Sequence, residues 1–223
     1  QVLADHAAAH PNITVVANTR ARRLIRVDAR VTGAIVETPA ADGVASFRDV
    51  HLDPGAKMVT LARPLLLDLG AVAKGLAVDL AAHELRACSS FLIDAGGDVY
   101  AGGSRPDGAL WSVGIRHPRQ EDAIIERIRV RNQAVCTSGD YERRRAGQHH
   151  ILDPRTGVAS SDLASASVVA PSAMVADALA TAAFVLGRRD GLRLLERHGV
   201  EGLLISPSLE TCSTRSFHTH DSI

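Results

Sequence analysis

Short runs of alternating apolar residues, separated by turn-forming residues, constrain the fold of this chain more than any other feature. Such runs predict β-strands, because successive side chains of a strand point to opposite faces of a sheet. After a short helix end over 1–10, helices are predicted in three stretches: an alanine-rich segment over 71–86, a second over 173–186, and a shorter one over 190–198. Ser172 is the expected N-cap of the second helix and Gly187 its expected stop. Strands outnumber helices without strict alternation, which favours an α+β fold of mostly antiparallel sheet with packed helices.

The predicted strands are short and are spread along most of the chain. They cover residues 13–17, 24–27, 31–36, 47–52, 57–61, 65–67, 91–94, 98–101, 111–115, 124–131, 134–137, 149–152, 164–170 and 202–205. The strands at 47–52 and 57–61 are expected to form a hairpin around the turn at 53–56. The polar residues from Ser206 onwards predict a loose tail.

Composition narrows the class of partner. The 223 residues carry 25 Lys and Arg against 25 Asp and Glu, with seven aromatic residues. This balance disfavours a nucleic-acid binder or a membrane-surface binder, and favours a small molecule or a protein as partner. Three widely spaced cysteines without a CxxC pair indicate neither a disulfide framework nor a zinc site. Without a membrane-spanning run or signal peptide, the expected compartment is the cytoplasm.

The segment from Asp68 to Gly75, DLGAVAKG, indicates a phosphate-binding turn. A predicted strand ends in Asp68, a glycine turn follows, and a small-residue helix carries Lys74 in its first turns. Backbone N–H groups at a helix N-terminus and one cation can hold a phosphate. Many α/β proteins contain a similar turn without such a site, so the segment alone leaves both interpretations open.

Asp177 and Thr181 lie four residues apart in a predicted helix and therefore share one face. A carboxylate and a hydroxyl are hard oxygen donors, suited to Mg²⁺ that is also bound by substrate phosphate. The alternative is that Asp177 only complements the dipole at the start of its helix.

Two further segments contain residues suited to a ligand site. Ser138 and Gly139 supply a hydroxyl and an open backbone, and His150 could act as a general base. Gly96 and Gly97 lie between two predicted strands, where glycine permits close backbone approach. Each also has an ordinary structural interpretation, as a turn or as a hydrogen-bonded histidine.

The order of these motifs resembles that of the ApbE family, the FAD:protein FMN transferases. The family signature Asp-Leu-Gly-x-x-x-Lys-Gly-x-x-x-Asp matches residues 68–79, and its Asn/Asp-x-Gly-Gly-Asp turn matches 94–98. Its Thr-Ser-Gly-Asp-Tyr-Glu-Arg and His-Ile-Leu-Asp-Pro-Arg-Thr-Gly motifs match 137–143 and 150–157. Its Ala-Asp-Ala-Leu-Ala-Thr-Ala motif matches 176–182. The resemblance spans residues 45–210.

The resemblance implies site residues at the matching positions. Mg²⁺ would be held by the carbonyl of Ala71 and the side chains of Asp177 and Thr181. Some members have a further Asp where this chain has Ala180. His150 would deprotonate the acceptor hydroxyl. The implied FAD contacts are Asp68, Lys74 and Ile151, followed by Asp79, Gly96, Gly97, Ser138 and Gly139.

The implied reaction cleaves FAD in the presence of Mg²⁺, attaches FMN to a Thr or Ser of an acceptor protein, and releases AMP. Family precedent points to acceptors that are subunits of electron-transfer complexes, such as sodium-pumping NADH:quinone oxidoreductases. Two alternatives stay open: an Mg²⁺-dependent FAD pyrophosphatase that gives FMN and AMP, and a catalytically impaired remnant that binds flavin.

The first forty residues differ from the family pattern. Residues 10–38 resemble, over a short stretch, the FAD-binding region of fumarate reductase and aspartate oxidase-type flavoproteins. The expected organisation is therefore an atypical segment over 1–40, an ApbE-like domain over 41–210 related to the T-fold and incomplete at its N-terminal side, and a loose tail over 211–223.

Overall fold

The structure is a computed structural model that describes residues 24–27, 30–34, 47–62, 69–141, 144–145, 148–149, 151–153 and 158–217. The chain divides into two compact units, residues 1–69 and residues 70–223. The domain boundary that the sequence predicted at residue 40 stays a prediction.

The first unit contains two antiparallel hairpins. Strand β1 (Leu24–Val27) pairs with β2 (Arg30–Ala34), and β3 (Val50–Asp53) pairs with β4 (Met58–Leu61). In the second hairpin the N–H of Ala56 donates to Oδ1 of Asp53 at 2.8 Å, which closes the predicted turn. That hairpin is confirmed, except that Phe47–Asp49 of its predicted first strand form a 3₁₀ helix. The predicted helix end over 1–10 and the predicted strands at 13–17 and 65–67 lie outside the described residues.

The second unit begins with a helix and is otherwise mostly strands, up to a second, longer helix near its end. In chain order its elements are α1 (Gly70–Glu84), β5 (Ser90–Ala95), β6 (Asp98–Gly103), β7 (Trp111–Arg116), β8 (Ile124–Val130), β9 (Gln133–Gly139), β10 (Arg144–Arg145), β11 (Gln148–His149), β12 (Ser165–Ala170), α2 (Ala173–His198), β13 (Glu201–Ile205) and β14 (Thr211–Ser213).

Six of these strands form one sheet in the order β14-β13-β12-β9-β6-β5, and every neighbouring pair is antiparallel. Strands β7 and β8 form a separate hairpin, as do β10 and β11. The predicted α+β class with antiparallel sheets is confirmed. Since each strand buries alternate residues on opposite faces, the sheet has two apolar faces.

The two helices cover one face of the sheet, and the hairpin β7–β8 covers the other. We call these the helix side and the hairpin side. The core of the helix side includes Val78, Ala134, Cys136, Ala166, Val168, Ala170, Ala176, Leu179, Phe184 and Leu195. The core of the hairpin side includes Val99, Val113, Ile115, Ile128, Val130, Val135, Val169, Leu203, Ile205 and Phe217.

Helix α2 follows its predicted boundaries closely. The Ser172 side chain accepts a hydrogen bond from Val175 N at 3.3 Å, which confirms it as the N-cap. Gly187 has φ 79° and ψ −177°, so the helix is interrupted there and continues as a second segment to His198. Within the described ranges, no helix has both the length and the apolar character needed to cross a membrane.

The loose tail predicted from Ser206 was wrong for the part that the structure describes. Strand β14 pairs with β13, the N–H of Thr214 donates to Gly202 O at 3.0 Å, and Phe217 is buried on the hairpin side. Most polar side chains of this segment are exposed, although Thr214 is buried, so its composition hides a strand that the sheet edge stabilises. The predicted strand over 149–152 also differs: His149 ends β11, and Leu152 forms an isolated bridge with Ala159.

Candidate active site

A close contact between α1 and α2 builds the site, and it depends on Gly75. This residue is buried, and a Cβ atom at its position would collide with the backbone of Ala173 and Met174 at the start of α2. Because glycine has no side chain, the helices approach closely enough for the Gly75 N–H to donate to Oδ2 of Asp177 at 3.0 Å. The signature on α1 therefore meets the carboxylate on α2.

A second link between the helices lies one turn further along α1, at Asp79. Its Oδ2 accepts from the Ser172 hydroxyl at 2.7 Å and from Met174 N at 3.0 Å, and its Oδ1 accepts from Ala173 N at 2.7 Å. A carboxylate at a helix N-terminus satisfies free N–H groups and opposes the helix dipole. Asp79 thus fixes the start of α2 against α1, while its implied contact with flavin stays a prediction.

The predicted oxygen ligands lie around the same contact. In a regular α-helix the N–H of Gly75 faces the carbonyl of Ala71, so that carbonyl and the Asp177 carboxylate flank one N–H group. Thr181 lies one turn beyond Asp177 on α2, and its Oγ1 is 3.0 Å from Oγ of Ser138 on β9. The sheet thereby orients the threonine hydroxyl.

One ion pair lies beside these oxygens. The Nζ atom of Lys74 is 3.1 Å from Oδ2 of Asp98, whose side chain is 1% exposed, whereas the lysine side chain is 32% exposed. Sequence reasoning placed Asp98 at the end of a turn motif but did not assign it to the site. The sequence pattern that could have indicated Asp98 is a carboxylate at the first position of a strand whose other residues are mostly small or apolar.

The Gly96–Gly97 turn places Asp98 at the start of β6. The two glycines have φ 63° and 92°, and Gly97 N donates to Oδ1 of Asp94 at 2.8 Å. Positive φ at both central residues is what a tight two-residue hairpin needs. A Cβ atom at either glycine would meet nothing within 4 Å, so backbone conformation rather than space requires glycine here. Their implied contacts with FAD stay predictions.

Burial sets the electrostatics of the site. It raises the pKa of Asp177; the nearby Asp98 adds to the rise, while the Gly75 N–H and Lys74 oppose it. Burial likewise raises the pKa of the Cys136 thiol, with smaller contributions from Asp98 and Asp177. The thiol stays protonated and lies 3.5 Å from the Ala173 carbonyl oxygen. All three cysteines of the chain are free, as the sequence predicted.

The donors present fit a hard divalent cation. Among the described residues, His, Cys, Asp and Glu side chains form no group of three or more that could hold a metal. The candidate ligands are instead a carbonyl, one carboxylate and one hydroxyl (Ala71, Asp177 and Thr181), and all are oxygen atoms, which Mg²⁺ prefers. A buried carboxylate whose charge is opposed by desolvation gains from such a cation.

The remaining predicted residues are placed as follows. Gly139 is buried at the end of β9 against the ring of Tyr141, and Ile151 is 7% exposed in the core of the helix side. Asp68 and His150 lie outside the described residues. The structure therefore joins α1 to Asp177 through Gly75, and Ser138 to Thr181 one turn beyond Asp177. Lys74 is the neighbour of Gly75, and Ala71 lies one turn before Gly75 on α1.

Comparisons with known proteins identify similar sequences and structures. A model described as the ApbE family matches residues 17–204. The chain is 43% identical over 189 residues to FAD:protein FMN transferase of Treponema pallidum, covering 72% of this chain and 51% of that protein. It is 33% identical over 168 residues to the protein of the same name from Haemophilus influenzae, covering 70% and 49%. The chain thus spans about half the length of the curated relatives that it matches.

Two solved structures share the fold. The ApbE protein of Thermotoga maritima matches with a TM-score of 0.69 and 33% identity, over 77% of this chain and 59% of that one. The flavin transferase ApbE of Vibrio cholerae matches with a TM-score of 0.68 and 28% identity, over 78% and 58%.

Proposed function

The chain belongs to the ApbE family, and we propose that it is an Mg²⁺-dependent FAD:protein FMN transferase. The observation that carries this proposal is the contact at Gly75, which joins the lysine-bearing signature on α1 to Asp177 and Thr181 on α2. One cation and a set of hard oxygen donors are the groups that diphosphate chemistry needs.

The proposed reaction exchanges one bond to phosphorus for another. The hydroxyl oxygen of an acceptor Thr or Ser forms a bond to the phosphorus on the FMN side of FAD. The bond between that phosphorus and the bridging oxygen breaks, and AMP leaves with the electron pair. The hydroxyl proton passes to a general base, for which His150 is the proposed residue on the resemblance of its motif.

The described residues have distinct roles in this proposal. The ammonium group of Lys74 contacts the diphosphate of FAD and offsets part of its charge. The Ala71 carbonyl, the Asp177 carboxylate and the Thr181 hydroxyl would hold Mg²⁺, which when bound neutralises diphosphate charge. Ser138 orients Thr181 through the hydrogen bond between their hydroxyls. The proposed partner is an acceptor protein from an electron-transfer complex.

A direct test combines the 223-residue chain with FAD, MgCl₂ and an FMN-binding subunit of a sodium-pumping NADH:quinone oxidoreductase. We expect the acceptor to become fluorescent in a denaturing gel, to gain the mass of FMN less water, and to be accompanied by AMP. Parallel reactions contain EDTA or the Asp177→Ala variant, and both should lose product. Asp190→Ala is the matched control, because Asp190 lies on the same helix with its side chain 63% exposed.

The products separate the three candidate functions. Covalent FMN on the acceptor together with AMP supports the transferase. FMN and AMP without a labelled acceptor would instead identify an FAD pyrophosphatase that uses water as the nucleophile. Neither product, with FAD still bound, would identify a catalytically impaired flavin-binding protein.

A further inference from the structure

We propose that Asp98 is a positioning residue for Lys74: it fixes the lysine ammonium at the edge of the site and directs its free N–H bonds towards a bound diphosphate. This inference rests on the proposed function for the identity of the ligand, but the pairing that it describes is a property of the chain alone. Asp98 itself is almost completely buried and is not expected to touch FAD.

The geometry gives the two partners unequal freedom. Asp98 is the first residue of β6, and its side chain is 1% exposed, so packing holds the carboxylate in place. Lys74 is 32% exposed and ends a flexible four-carbon chain. The 3.1 Å contact between Nζ and Oδ2 therefore restrains the lysine, rather than the aspartate.

The pairing leaves the lysine able to bind a ligand. An ammonium group has three N–H donors, and its ion pair with Asp98 is a single contact, to Oδ2 at 3.1 Å. The side chain is 32% exposed, so a ligand can reach it from solvent. Ordering a lysine side chain on binding costs rotamer entropy. A lysine that is already held in place therefore loses less side-chain entropy when it binds an anion.

The surroundings of Asp98 match a role in charge balance. Among the groups that face it are Lys74, the Cys136 thiol and, further away, the Asp177 carboxylate. Lys74 is the cation among these groups. A buried carboxylate beside a second carboxylate destabilises the protein unless a cation compensates it, so Asp98 and Lys74 stabilise each other.

The composition of the chain permits a sharp test. Of 25 basic residues only two are lysines, Lys57 and Lys74. Lys57 lies in the exposed turn between β3 and β4 and serves as an internal reference. The folded chain is treated with a limiting amount of an amine-acylating reagent, and mass spectrometry gives the ratio of labelling at the two lysines.

In the Asp98→Asn variant we expect the labelling of Lys74 relative to Lys57 to rise about tenfold, because the ammonium group loses the carboxylate of a partly buried ion pair. The matched control is Asp94→Asn, a carboxylate of the same hairpin that bonds only the turn at Gly97 among the contacts described. Its labelling ratio should equal that of the unaltered chain. An unchanged ratio in Asp98→Asn overturns the proposal.

A second measurement covers the case in which Asp98→Asn does not fold. In the unaltered chain labelled with ¹⁵N-lysine, the ammonium protons of Lys74 should exchange with water more slowly than those of Lys57. Equal exchange rates at the two lysines would overturn the proposal without any variant.

Binding of FAD then tests the consequence for the site. Fluorescence titration gives Kd for the unaltered chain, Asp98→Asn, Lys74→Met and the double variant. If Asp98 acts through Lys74, the Lys74→Met effect shrinks in the Asp98→Asn background; additive effects would contradict the proposal. If the unaltered chain binds no FAD, the proposed function fails, while the labelling ratio still decides the role of Asp98.

Discussion

The two sides of the six-stranded sheet use the same strands but differ in the size of their side chains. On the helix side the buried strand residues are mostly small: Ala134, Cys136, Ala166 and Ala170. On the hairpin side they are mostly β-branched or large: Val99, Val135, Val169, Leu203 and Ile205. Small residues let backbones approach closely, whereas large ones fill space and bury more apolar surface. The site residues therefore lie on the side of the sheet where small strand residues let the helices approach closely.

The distribution of buried charge follows the same division. Among the buried polar residues described, the two carboxylates belong to the helix side: Asp98 shares a strand face with Tyr100, and Asp177 faces α1. The hairpin side buries hydroxyl groups instead, such as Ser167, which bonds Thr137 at 2.7 Å. A buried charge costs stability unless it is compensated. The buried charges, and the compensation that they need, therefore lie on the helix side.

The largest expected effect comes from removing the buried charge of the helix side. Asp177→Asn should reduce the rate of FMN transfer about a thousandfold, the loss expected when a major electrostatic element of a reaction is removed. Its free energy of unfolding should stay equal or rise, because burial opposes the charged carboxylate. Single-turnover assays and urea unfolding measure the two quantities. Asp190→Asn on the same helix is the control. Equal transfer rates in the two variants would contradict a special role for the buried charge of Asp177.

The second prediction concerns the opposite side. Ile128 is 2% exposed on β8, and Ile128→Ala should lower the free energy of unfolding by about 3 kcal/mol through lost burial and a cavity. The transfer rate per folded molecule should be unchanged. Ile124→Ala, on the same strand but 38% exposed, should cost much less. A fall in transfer rate at full folding would show that the two sides are coupled.

Glycine substitutions compare the two sides directly. Gly75→Ala places a methyl group against helix backbone and should cost about 2 kcal/mol, with a loss of transfer activity. Gly114 lies on the exposed face of β7, and the nearest atoms to a Cβ at its position all belong to the Ile124 side chain, with Cδ1 at 2.7 Å. That side chain can move, so the second variant should be much less destabilised and should retain activity. Denaturant midpoints and transfer rates check both, and equal losses would contradict the difference in packing.

A smaller effect is expected from the hydroxyl pairs on the two sides. Ser138→Ala removes the partner of Thr181 and should raise the Mg²⁺ concentration for half-maximal transfer about tenfold, as loss of a group that orients a metal ligand does. Ser167→Ala breaks the hydroxyl pair with Thr137 on the hairpin side and should leave the Mg²⁺ requirement unchanged. A matching shift in both variants would show that Ser138 acts only through general stability.

The smallest effect concerns pH. Because the pKa of Asp177 is raised in the folded chain, the folded state binds more protons than the unfolded state between the ordinary and the raised pKa. Asp177 therefore lowers the free energy of unfolding of the unaltered chain as pH rises through that interval. The Asp177→Asn variant lacks this pH-dependent contribution. Urea unfolding of both chains in EDTA at several pH values measures it. A difference that stays constant with pH would contradict the burial of this charge.

Much of this fold could be predicted because its signals are local. Ser172 and Gly187 mark the ends of the first segment of α2 through their own backbone chemistry, and the spacing of Asp177 and Thr181 fixes their shared face. The ion pair of Lys74 with Asp98 could not be predicted in this way, because the two residues are 24 positions apart in the sequence. They come into contact only when β5 pairs with β6 and α1 packs on the sheet.

Strand β14 shows the other limit of prediction. Its three residues, Thr211–Ser213, have no apolar run that would mark a strand. They are extended because the edge of β13 offers unpaired backbone groups, which is a property of the finished sheet. The same holds for Asp79, whose capping role depends on where the start of α2 lies against α1.

The interruption of α2 at Gly187 has a consequence for how much change the chain can accept. An added residue turns everything beyond it by about 100° around a helix axis. Inserted between Asp177 and Thr181, it would point the carboxylate and the hydroxyl in different directions. Inserted after Gly187, it would rotate only the second segment, whose start is held separately by the bond from Arg188 N to Asp162 Oδ2 at 2.7 Å. Because of this break, an insertion in the second segment of the helix would leave the relative directions of Asp177 and Thr181 unchanged.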